Sequence, residues 1–380
     1  MNNFERKIRV LTVFGTRPEA IKMAPLVLEI SKYPDIFENL VCVTAQHRQM
    51  LDQVLDLFKI KPDFDLNIMR ENQDLWTLTS NVLLEMKKVY EQAKPDIVLV
   101  HGDTTTSMAA ALSAFYARIP VGHVEAGLRT FDKNYPFPEE INRVYVDAVC
   151  DYYFAPTETS VKNLIDTGCR KESIYKTGNT VIDALFHTIE NNRVDLSYLN
   201  LNPDLKTILV TAHRRENFGE PIINICRAIN QLVKTNKDIQ VVYPVHLNPN
   251  IQKPVYEMLG GKERIILTKP MDYEPFCALM KKSYIILSDS GGVQEEAPSL
   301  GKPVLVLRST TERPEAVKYG TVKLVGTNPM DIISSTQLLL DNPRKYKKMS
   351  EAINPYGDGK ACQRIVEVLK KIKNQSLSIP

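Results

Sequence analysis

The residues Ser288-Asp289-Ser290-Gly291-Gly292-Val293-Gln294-Glu295-Glu296 are the most informative part of this chain. The apolar residues 284–287 before them predict a buried strand, and residues 293–300 predict a helix. A Ser/Gly-rich turn therefore joins a strand to the start of a helix. The first N–H groups of a helix have no partner within it, so an anion can bind them. Gly291 and Gly292 carry no side chains, which lets a ligand approach the backbone closely.

An acidic residue and a hydroxyl group add to the binding capacity of this turn. Glu296 lies four residues after Gly292, about one helical turn away, so its carboxylate can face the same ligand. Ser290 supplies a hydroxyl donor. A carboxylate beside a phosphate site is well placed to accept hydrogen bonds from the vicinal hydroxyls of a ribose. The stretch thus predicts a nucleotide site, and the alternative is a tight strand-to-helix turn with solvated acidic residues.

The composition is typical of a soluble globular protein, and the length of 380 residues favours two domains. Hydrophobic residues make up 43% and charged residues 24% of the chain. The net charge is only +3, and no stretch collects enough Lys and Arg for a nucleic-acid partner. No apolar run approaches the ~18 residues of a membrane span, and the N-terminus lacks the apolar core of a signal peptide. The six cysteines form no C-x-x-C pair, which favours reduced thiols in the cytoplasm.

Strand-like runs alternate with helix-length segments, which predicts an α/β fold with parallel sheets. In the first half, the predicted strands are residues 7–14, 40–44, 96–100 and 120–124, and the clearest helices are residues 18–31 and 75–91. In the second half, the predicted strands are residues 207–211, 239–243, 264–267, 284–287, 303–307 and 322–325.

The pattern restarts after a loop-like region at residues 194–205, and so predicts two Rossmann-like domains. We assign the N-terminal domain to residues 1–178 plus 360–380 and the C-terminal domain to residues 179–359. The last segment, residues 360–373, predicts an amphipathic helix that packs back on the first domain.

Ionisable residues follow five of the predicted strands. They are His101-Gly102-Asp103, His123-Val124-Glu125, His213-Arg214-Arg215-Glu216, His246 and Asp289. In doubly wound sheets, ligands bind outside the carboxyl ends of the strands. We therefore expect these residues to line one cleft between the two domains, although a single histidine at a strand end is often structural.

A basic motif follows the first strand and recurs near the end of the second half. The two copies are Gly15-Thr16-Arg17-Pro18-Glu19-Ala20-Ile21-Lys22 and Arg313-Pro314-Glu315-Ala316-Val317-Lys318. Arg17, Lys22 and Arg313 could close on a diphosphate, whereas the alternative is that R-P-E is simply a good helix start. The first copy is not a Walker sequence, and no G-x-G-x-x-G follows the first strand, which argues against NAD and ATP.

Three carboxylates and one histidine are candidates for catalysis. Asp103, Glu125 and Glu139 could share acid and base duties if their environments separate their pKa values. His213 could donate a hydrogen bond to a leaving diphosphate. The alternatives are a helix cap for Asp103, a favourable helix N-terminus for Glu139 and a structural histidine. No His/Cys/Asp/Glu set has the spacing of metal ligands, so we expect no required metal.

Together these segments closely resemble the non-hydrolysing UDP-N-acetylglucosamine 2-epimerases of bacteria. The matching segments are residues 14–19, 101–105, 123–129, 211–217, 244–249 and 289–298. The resemblance implies the GT-B fold, with the substrate in the cleft between the domains. It also implies that UDP-GlcNAc and UDP-ManNAc interconvert at C2 of the sugar, by elimination of UDP to 2-acetamidoglucal and re-addition, without NAD or another cofactor.

The resemblance further implies roles for individual residues. It assigns acid and base catalysis to Asp103, Glu125 and Glu139, and a position near the leaving group to His213. The implied substrate ligands are Arg17, Lys22 and Arg313 as basic groups, Ser290, Gly291 and Gly292 at the diphosphate, Glu296 at the ribose, and Phe276 at the uracil. Met271 is a further implied ligand and stands where some members of the family have a glutamine.

Bacterial members of the family also bind a second UDP-GlcNAc as an activator, and this implies a site formed by Gln46, Gln49, Arg214 and His246. Asn72 stands where close relatives have an arginine, although Arg70 is near. The family is usually homodimeric and supplies ManNAc for cell-surface polysaccharide. Three other functions stay open: a hydrolysing epimerase that releases ManNAc, a GT-B glycosyltransferase, and a UDP-sugar sensor without turnover.

Overall fold

The computed structural model of the chain describes residues 6–45, 48–68, 73–191 and 193–376. It divides the chain into two compact units. The first unit comprises Met1–Ala184 and Tyr356–Pro380, and the second comprises Leu185–Pro355. Each unit contains one parallel sheet with helices packed around it, which confirms the predicted α/β class.

The first unit is built on a seven-stranded sheet with the strand order β3-β2-β1-β4-β5-β6-β7. Its strands are β1 (Ile8–Phe14), β2 (Phe37–Val43), β3 (Phe64–Asp65), β4 (Ile97–His101), β5 (Val121–Val124), β6 (Tyr152–Ala155) and β7 (Ile174–Lys176). Its helices are α1 (Arg17–Ser31), α2 (Arg48–Phe58), α3 (Leu75–Ala93), α4 (Thr105–Tyr116), α5 (Glu139–Val149) and α6 (Glu158–Asp166), followed by α7 (Thr180–Glu190). The strand order reverses between β1 and β4, where the loops after two neighbouring strands diverge and leave room for a ligand.

The second unit repeats this plan with a six-stranded sheet in the order β10-β9-β8-β11-β12-β13. Its strands are β8 (Lys206–Thr211), β9 (Ile239–Pro244), β10 (Ile265–Thr268), β11 (Ile285–Ser288), β12 (Val304–Val306) and β13 (Val322–Leu324). Its helices are α8 (Glu220–Thr235), α9 (Pro249–Leu259), α10 (Tyr273–Lys282), α11 (Gly291–Glu296), α12 (Pro314–Tyr319), α13 (Pro329–Asp341) and α14 (Pro343–Ser350). Here the order reverses between β8 and β11, and Ser288 at the end of β11 pairs with Thr211 at the end of β8.

Each predicted strand forms, because runs of Val, Ile and Leu suit strands that are covered on both faces. The strands β3, β6 and β7 escaped the sequence analysis. They are short, and β6 and β7 begin with Tyr152 and Ile174 inside segments that mix aromatic and polar residues. The helix after the Ser/Gly-rich turn begins at Gly291, two residues earlier than expected, and continues as a 3-10 turn over Ala297–Leu300.

The C-terminal helix, α15 (Ala361–Ser376), packs against α1, which confirms its predicted return to the first domain. Its N-terminus is capped from α7, because the Asp183 carboxylate accepts hydrogen bonds from the backbone N–H groups of Ala361 (3.1 Å) and Cys362 (2.9 Å). Further along, the ammonium group of Lys370 lies 3.7 Å from the ring centroid of Tyr33. None of the helices in the described ranges combines the length and hydropathy that a membrane span requires.

Candidate active site

The Glu125 carboxylate follows β5 and lies among basic and amide side chains. Lys22 Nζ donates to both of its oxygens, at 2.7 and 2.6 Å, and Asn179 Nδ2 donates to Oε1 at 3.1 Å. His101 Nε2 lies 2.7 Å from Oε2. Burial by itself would raise the pKa of Glu125, yet Lys22 and His101 outweigh burial and hold that pKa well below its usual value. Glu125 is therefore a buried, ionised carboxylate.

The backbone at Glu125 is strained. Its φ is +67°, in the left-handed region that residues with a side chain rarely adopt. Two residues later, Gly127 (φ +86°) leaves no room for a side chain, since a Cβ there would lie 2.4 Å from the Ser160 carbonyl oxygen. Strain of this kind persists where surrounding contacts enforce it, and it is common at functional sites.

A second buried carboxylate, Glu19, ties the loops after β1 and β4 together. Its Oε2 accepts hydrogen bonds from the backbone N–H groups of Gly15 (3.1 Å) and Thr16 (2.7 Å). Its Oε1 accepts from the hydroxyl groups of Thr104 (2.6 Å) and Ser107 (2.9 Å). The acidic residue of the first R-P-E motif thus has a structural role: it satisfies free N–H groups at the start of α1 and joins them to the start of α4.

Within that motif, the two basic residues have different surroundings. Arg17 begins α1 and is half-buried, and its guanidinium makes no hydrogen bond or ion pair within the part of the chain that the structure describes. Lys22, one turn further along, is directed to Glu125. The helix begins at Arg17, one residue earlier than predicted, so Pro18 is its second residue and still lies in the first turn.

Asp103 follows β4 after Gly102 and contacts the side chains of α5. Its carboxylate pairs with Arg143, and its backbone carbonyl accepts a hydrogen bond from Asn142 Nδ2 at 2.9 Å. The side chain keeps 30% of its surface exposed, so a ligand can reach it. The alternative role as a helix cap is wrong, because Thr104 caps α4 through its hydroxyl and the Ser107 N–H (3.0 Å).

Glu139 is the first residue of α5 and lies on the same helical face as Asn142 and Arg143, three and four residues later. That face is the one directed at Asp103. The Glu139 side chain is half-buried, and no ion pair joins it to another residue in the described ranges. The first unit therefore brings Lys22, Asp103 and Glu125 to the carboxyl edge of its sheet, with Glu139 on the helix that contacts Asp103.

In the second unit, the fully buried Asp289 organises the loop after β8. Its Oδ2 accepts hydrogen bonds from the backbone N–H groups of His213 (2.8 Å) and Arg214 (2.9 Å) and from Asn217 Nδ2 (2.8 Å). His213 Nδ1 lies 3.2 Å from Oδ1. Burial alone would raise the pKa of Asp289, but the His213 interaction and the backbone N–H groups lower it overall. Asp289 thus holds the backbone of His213 and lies beside Nδ1 of its imidazole, which leaves Nε2 as the nitrogen available to a ligand.

The Ser290–Gly292 turn lies beside two guanidinium groups. A Cβ placed on Gly291 would lie 3.7 Å from the guanidinium carbon of Arg313 and 3.8 Å from Nη2 of Arg214. Arg313 is held by an ion pair with Glu295, from the helix that follows the turn. Backbone N–H groups at the start of α11 and two nearby arginines together favour an anion at this position.

Glu296 turns back along α11 toward the turn, since a Cβ on Gly292 would lie 3.7 Å from its Oε2. Its Oε1 accepts a hydrogen bond from the Tyr273 hydroxyl at 2.6 Å. Burial, together with the negative charge of Glu296, raises the pKa of Tyr273 well above its usual value, so the phenol stays a donor. Phe276 follows Tyr273 by one turn of α10 and Met271 precedes that helix, and both are half-buried.

The residues expected at an activator site are only partly described. The imidazole of His246 stacks on that of His213, with 5.8 Å between the ring centroids, and the pKa of His246 is lowered by burial and by His213. Arg214 faces the Gly291 turn, and Gln49 is exposed on α2. Gln46, Arg70 and Asn72 lie outside the described residues.

Some contacts of the candidate site residues were not predicted from the sequence. The sequence drew attention to His101 as a strand-end residue but not as a neighbour of Glu125. Nothing in the local pattern signals Asn179, Arg143 or Tyr273, because each acts through a partner that is distant in sequence. Within the described ranges, no group of three or more His, Cys, Asp or Glu side chains is arranged to hold a metal ion.

Comparison with known proteins is consistent across nearly the whole chain. A family model described as UDP-N-acetylglucosamine 2-epimerase matches residues 29–370. UDP-N-acetylglucosamine 2-epimerase of Bacillus subtilis is 57% identical, with 96% of this chain and 95% of that protein covered. The corresponding protein of Campylobacter jejuni is 54% identical, with 96% and 98% covered.

Solved structures of members of this family are similar to the structure of this chain over nearly its whole length. The UDP-GlcNAc 2-epimerase from Neisseria meningitidis, bound to UDP-GlcNAc, superposes with a TM-score of 0.87 at 53% identity and covers 96% of this chain and 100% of that chain. The enzyme of Methanocaldococcus jannaschii, in complex with UDP-GlcNAc and UDP, gives 0.77 at 34% identity, with 96% and 100% covered. These neighbours confirm the predicted fold of GT-B type. The chain belongs to the UDP-N-acetylglucosamine 2-epimerase family.

Proposed function

We propose that this protein interconverts UDP-GlcNAc and UDP-ManNAc by inverting C2 of the sugar without net hydrolysis. The observation that carries the proposal is the buried Glu125 carboxylate, which Lys22 and His101 keep ionised. Because it is ionised, this carboxylate can accept a proton without first losing one. The complexes of the related enzymes with UDP-GlcNAc and UDP support the choice of substrate.

The reaction proceeds by elimination and re-addition. In the first step, a carboxylate takes the proton from C2, the C–H electron pair forms the C1=C2 double bond, and the bond from C1 to the UDP oxygen breaks. This step yields UDP and 2-acetamidoglucal. In the second step, UDP adds back to C1 and a proton reaches C2 from the opposite face. Electrons and protons balance, so neither step needs an oxidant or a reductant.

The carboxylates of the first unit share the proton transfers in this scheme. Removal of a proton from one face and delivery to the other requires at least two groups in different protonation states. The ion pair with Lys22 keeps Glu125 in the ionised form that can accept a proton, while its lowered pKa makes it a weak base. Asp103 keeps an exposed side chain, and Glu139 lies on the helical face that is directed at Asp103, so both are available for the second transfer.

The UDP moiety binds to the second unit in this proposal. The backbone of Ser290, Gly291 and Gly292 receives the diphosphate, and Arg313 adds positive charge. Glu296 accepts the ribose hydroxyls, and Phe276 and Met271 lie beside the uracil. His213, held by Asp289, donates to the leaving diphosphate and stabilises its developing charge. Arg17 and Lys22 supply further positive charge for the substrate.

A second UDP-GlcNAc acts as an activator in this proposal. Arg214 faces the Gly291 turn and His246 stacks on His213, so two of the expected activator residues contact expected substrate residues. Such contacts provide a direct physical path from one ligand to the other. In the same proposal, UDP-ManNAc is formed in the cytoplasm and supplies ManNAc for cell-surface polysaccharide.

The chain also forms a homodimer in this proposal. An apolar surface on α3 and α4 supports it, because Leu84, Phe115 and Tyr116 are each more than half exposed. The oppositely charged Lys87 and Glu91 follow Leu84 on the same face of α3, three and seven residues later. Around a two-fold axis, such a surface can meet its own copy with apolar residues in contact and unlike charges paired.

One experiment tests the reaction. Purified protein is incubated with UDP-GlcNAc alone in D2O and followed by proton NMR. We expect UDP-ManNAc with deuterium at C2, and a sigmoidal dependence of the initial rate on UDP-GlcNAc concentration. Free ManNAc would instead indicate hydrolysis, turnover only with an added acceptor would indicate a glycosyltransferase, and binding without turnover would indicate a sensor. A hyperbolic rate curve would remove the activator.

Asp103→Asn tests the proton transfer. We expect kcat to fall by at least ~100-fold, the lower end of an acid/base contribution, while the Kd for UDP stays nearly unchanged. The matched control Asp35→Asn changes an exposed aspartate of the same unit and should leave both quantities unaltered. A near-normal kcat in Asp103→Asn would remove Asp103 from the mechanism.

Glu296→Ala tests the ribose contact. We expect KM for UDP-GlcNAc to rise more than kcat falls, because the contact is made equally in the ground and transition states. Tyr273→Phe removes only the hydroxyl that holds Glu296, and should raise KM by a smaller factor, about threefold to tenfold. A fall in kcat at constant KM in either variant would show that the role of Glu296 is misassigned.

Tyr116→Asp tests the dimer. A buried carboxylate on each side of a two-fold axis opposes association, so light scattering should give the 43.1 kDa monomer in place of the dimer. Tyr198→Asp changes a tyrosine of the second unit that is also more than half exposed, and it should leave the mass unaltered. A wild-type protein that scatters as a monomer contradicts the proposal.

A further inference from the structure

The imidazole of His123 is completely buried and has an acceptor at each ring nitrogen. Nδ1 lies 2.6 Å from Oδ1 of Asp147, and Nε2 lies 2.8 Å from the carbonyl oxygen of Gly102. A carbonyl oxygen only accepts hydrogen bonds, and an ionised carboxylate does too. Both contacts are therefore hydrogen bonds only if His123 carries a hydrogen on each nitrogen.

The charges around Asp147 agree with this arrangement. The carboxylate is buried, and its second oxygen pairs with the buried guanidinium of Arg129. Burial alone would raise the pKa of Asp147, but His123 and Arg129 outweigh it and lower the pKa overall. His123 thus has a strong, fixed partner at Nδ1, which orients the ring and directs Nε2 at Gly102.

The Gly102 carbonyl belongs to the peptide group that precedes Asp103. The N–H of Gly102 donates to the Val124 carbonyl at 2.9 Å, and the carbonyl of Asp103 itself accepts from Asn142 at 2.9 Å. The peptide groups on both sides of the Asp103 Cα are therefore held by hydrogen bonds. Because these two planes set the direction of the Cα–Cβ bond, they also set where the Asp103 carboxylate lies.

We propose that His123 is a positioning residue for the epimerase reaction and that it acts through the Gly102 carbonyl on Asp103. The inference rests on the proposed function, in which Asp103 transfers a proton. Asp147 and Arg129 hold the imidazole, the imidazole holds the Gly102–Asp103 peptide, and that peptide directs the carboxylate. His123 touches no reacting atom in this arrangement. A displacement of about 1 Å at a reacting group can cost up to ~100-fold in rate, so a fixed peptide at this position matters for turnover.

A purely structural role, in which His123 only balances the buried charge of Asp147, predicts a different result. Two amide variants separate this role from the positioning role. In His123→Gln, the side-chain nitrogen can take the place of Nε2 and still donate to Gly102. In His123→Asn, the nitrogen can take the place of Nδ1, so the Asp147 contact survives and the Gly102 contact is lost. If His123 only balances the buried charge of Asp147, the Asn variant is the less damaged one.

We expect kcat in His123→Asn to be at least about tenfold lower than in His123→Gln, in the D2O assay described above. The Kd for UDP should be the same in both variants, because the proposed UDP ligands lie elsewhere in the chain. In an Asp103→Asn background, exchange of Asn for Gln at position 123 should have no further effect, since the residue acts only through Asp103. Equal kcat values, the reverse order, or a difference that persists in the Asp103→Asn background would overturn the proposal.

Asp147→Asn keeps the test decisive if His123→Asn does not fold. With an amide at position 147, a neutral His123 can accept at Nδ1 and still donate from Nε2 to Gly102. We expect this variant to unfold at a lower temperature but to retain a kcat more than about tenfold above that of Asp103→Asn. A kcat as low as that of Asp103→Asn would overturn the proposal. Wild-type protein that does not epimerise UDP-GlcNAc would contradict the proposed function instead, before any variant is compared.

Discussion

The ion pair between Lys22 and Glu125 is the interaction on which the candidate site of the first unit depends. A carboxylate as buried as that of Glu125 is stable in its charged form only when positive and hydrogen-bonding groups surround it. Lys22 comes from α1, His101 from the end of β4 and Asn179 from the segment after β7. The three elements must therefore be in place together for the carboxylate to stay ionised once it is buried.

Buried carboxylates serve the loops around both candidate sites in a common way. Glu19 accepts the N–H groups of Gly15 and Thr16, and Asp289 accepts those of His213 and Arg214. Glu140 does the same for Thr130 and Phe131, in the loop before Glu139. In each case, an acid satisfies N–H groups of an irregular segment that no strand or helix could satisfy. The loops that carry the candidate residues are thereby held rigid without regular secondary structure.

The surroundings of each carboxylate decide whether it stabilises the fold or takes part in the proposed chemistry. Both oxygens of Glu19 and Oδ2 of Asp289 are occupied by several donors, so these carboxylates stabilise the fold. Glu125 faces basic side chains, and Asp103 combines one ion pair with an exposed surface, so both are suited to chemistry. Acidic residues that follow similar strands thus differ in role because their neighbours differ.

The sequence by itself determined the α/β class, the two strand sets, the turn after β11 and the family. These features depend on neighbouring residues in the sequence. Runs of Val, Ile and Leu indicate the strands, and adjacent Ser and Gly residues indicate the turn. The sequence did not predict the short strand β7, because the three residues Ile174–Lys176 are too few to show the alternation or apolar run of a strand.

Only the tertiary structure decided which groups meet. Lys22 and Glu125 are 103 residues apart, and His213 and the Asp289 carboxylate that accepts its N–H are 76 apart. The order of strands in a sheet brings such partners together, and no local pattern specifies that order. The charge state of a buried group depends on those partners, so the ionised Glu125, the placement of His213 beside Asp289 and the doubly hydrogen-bonded His123 could be assigned only from the folded chain.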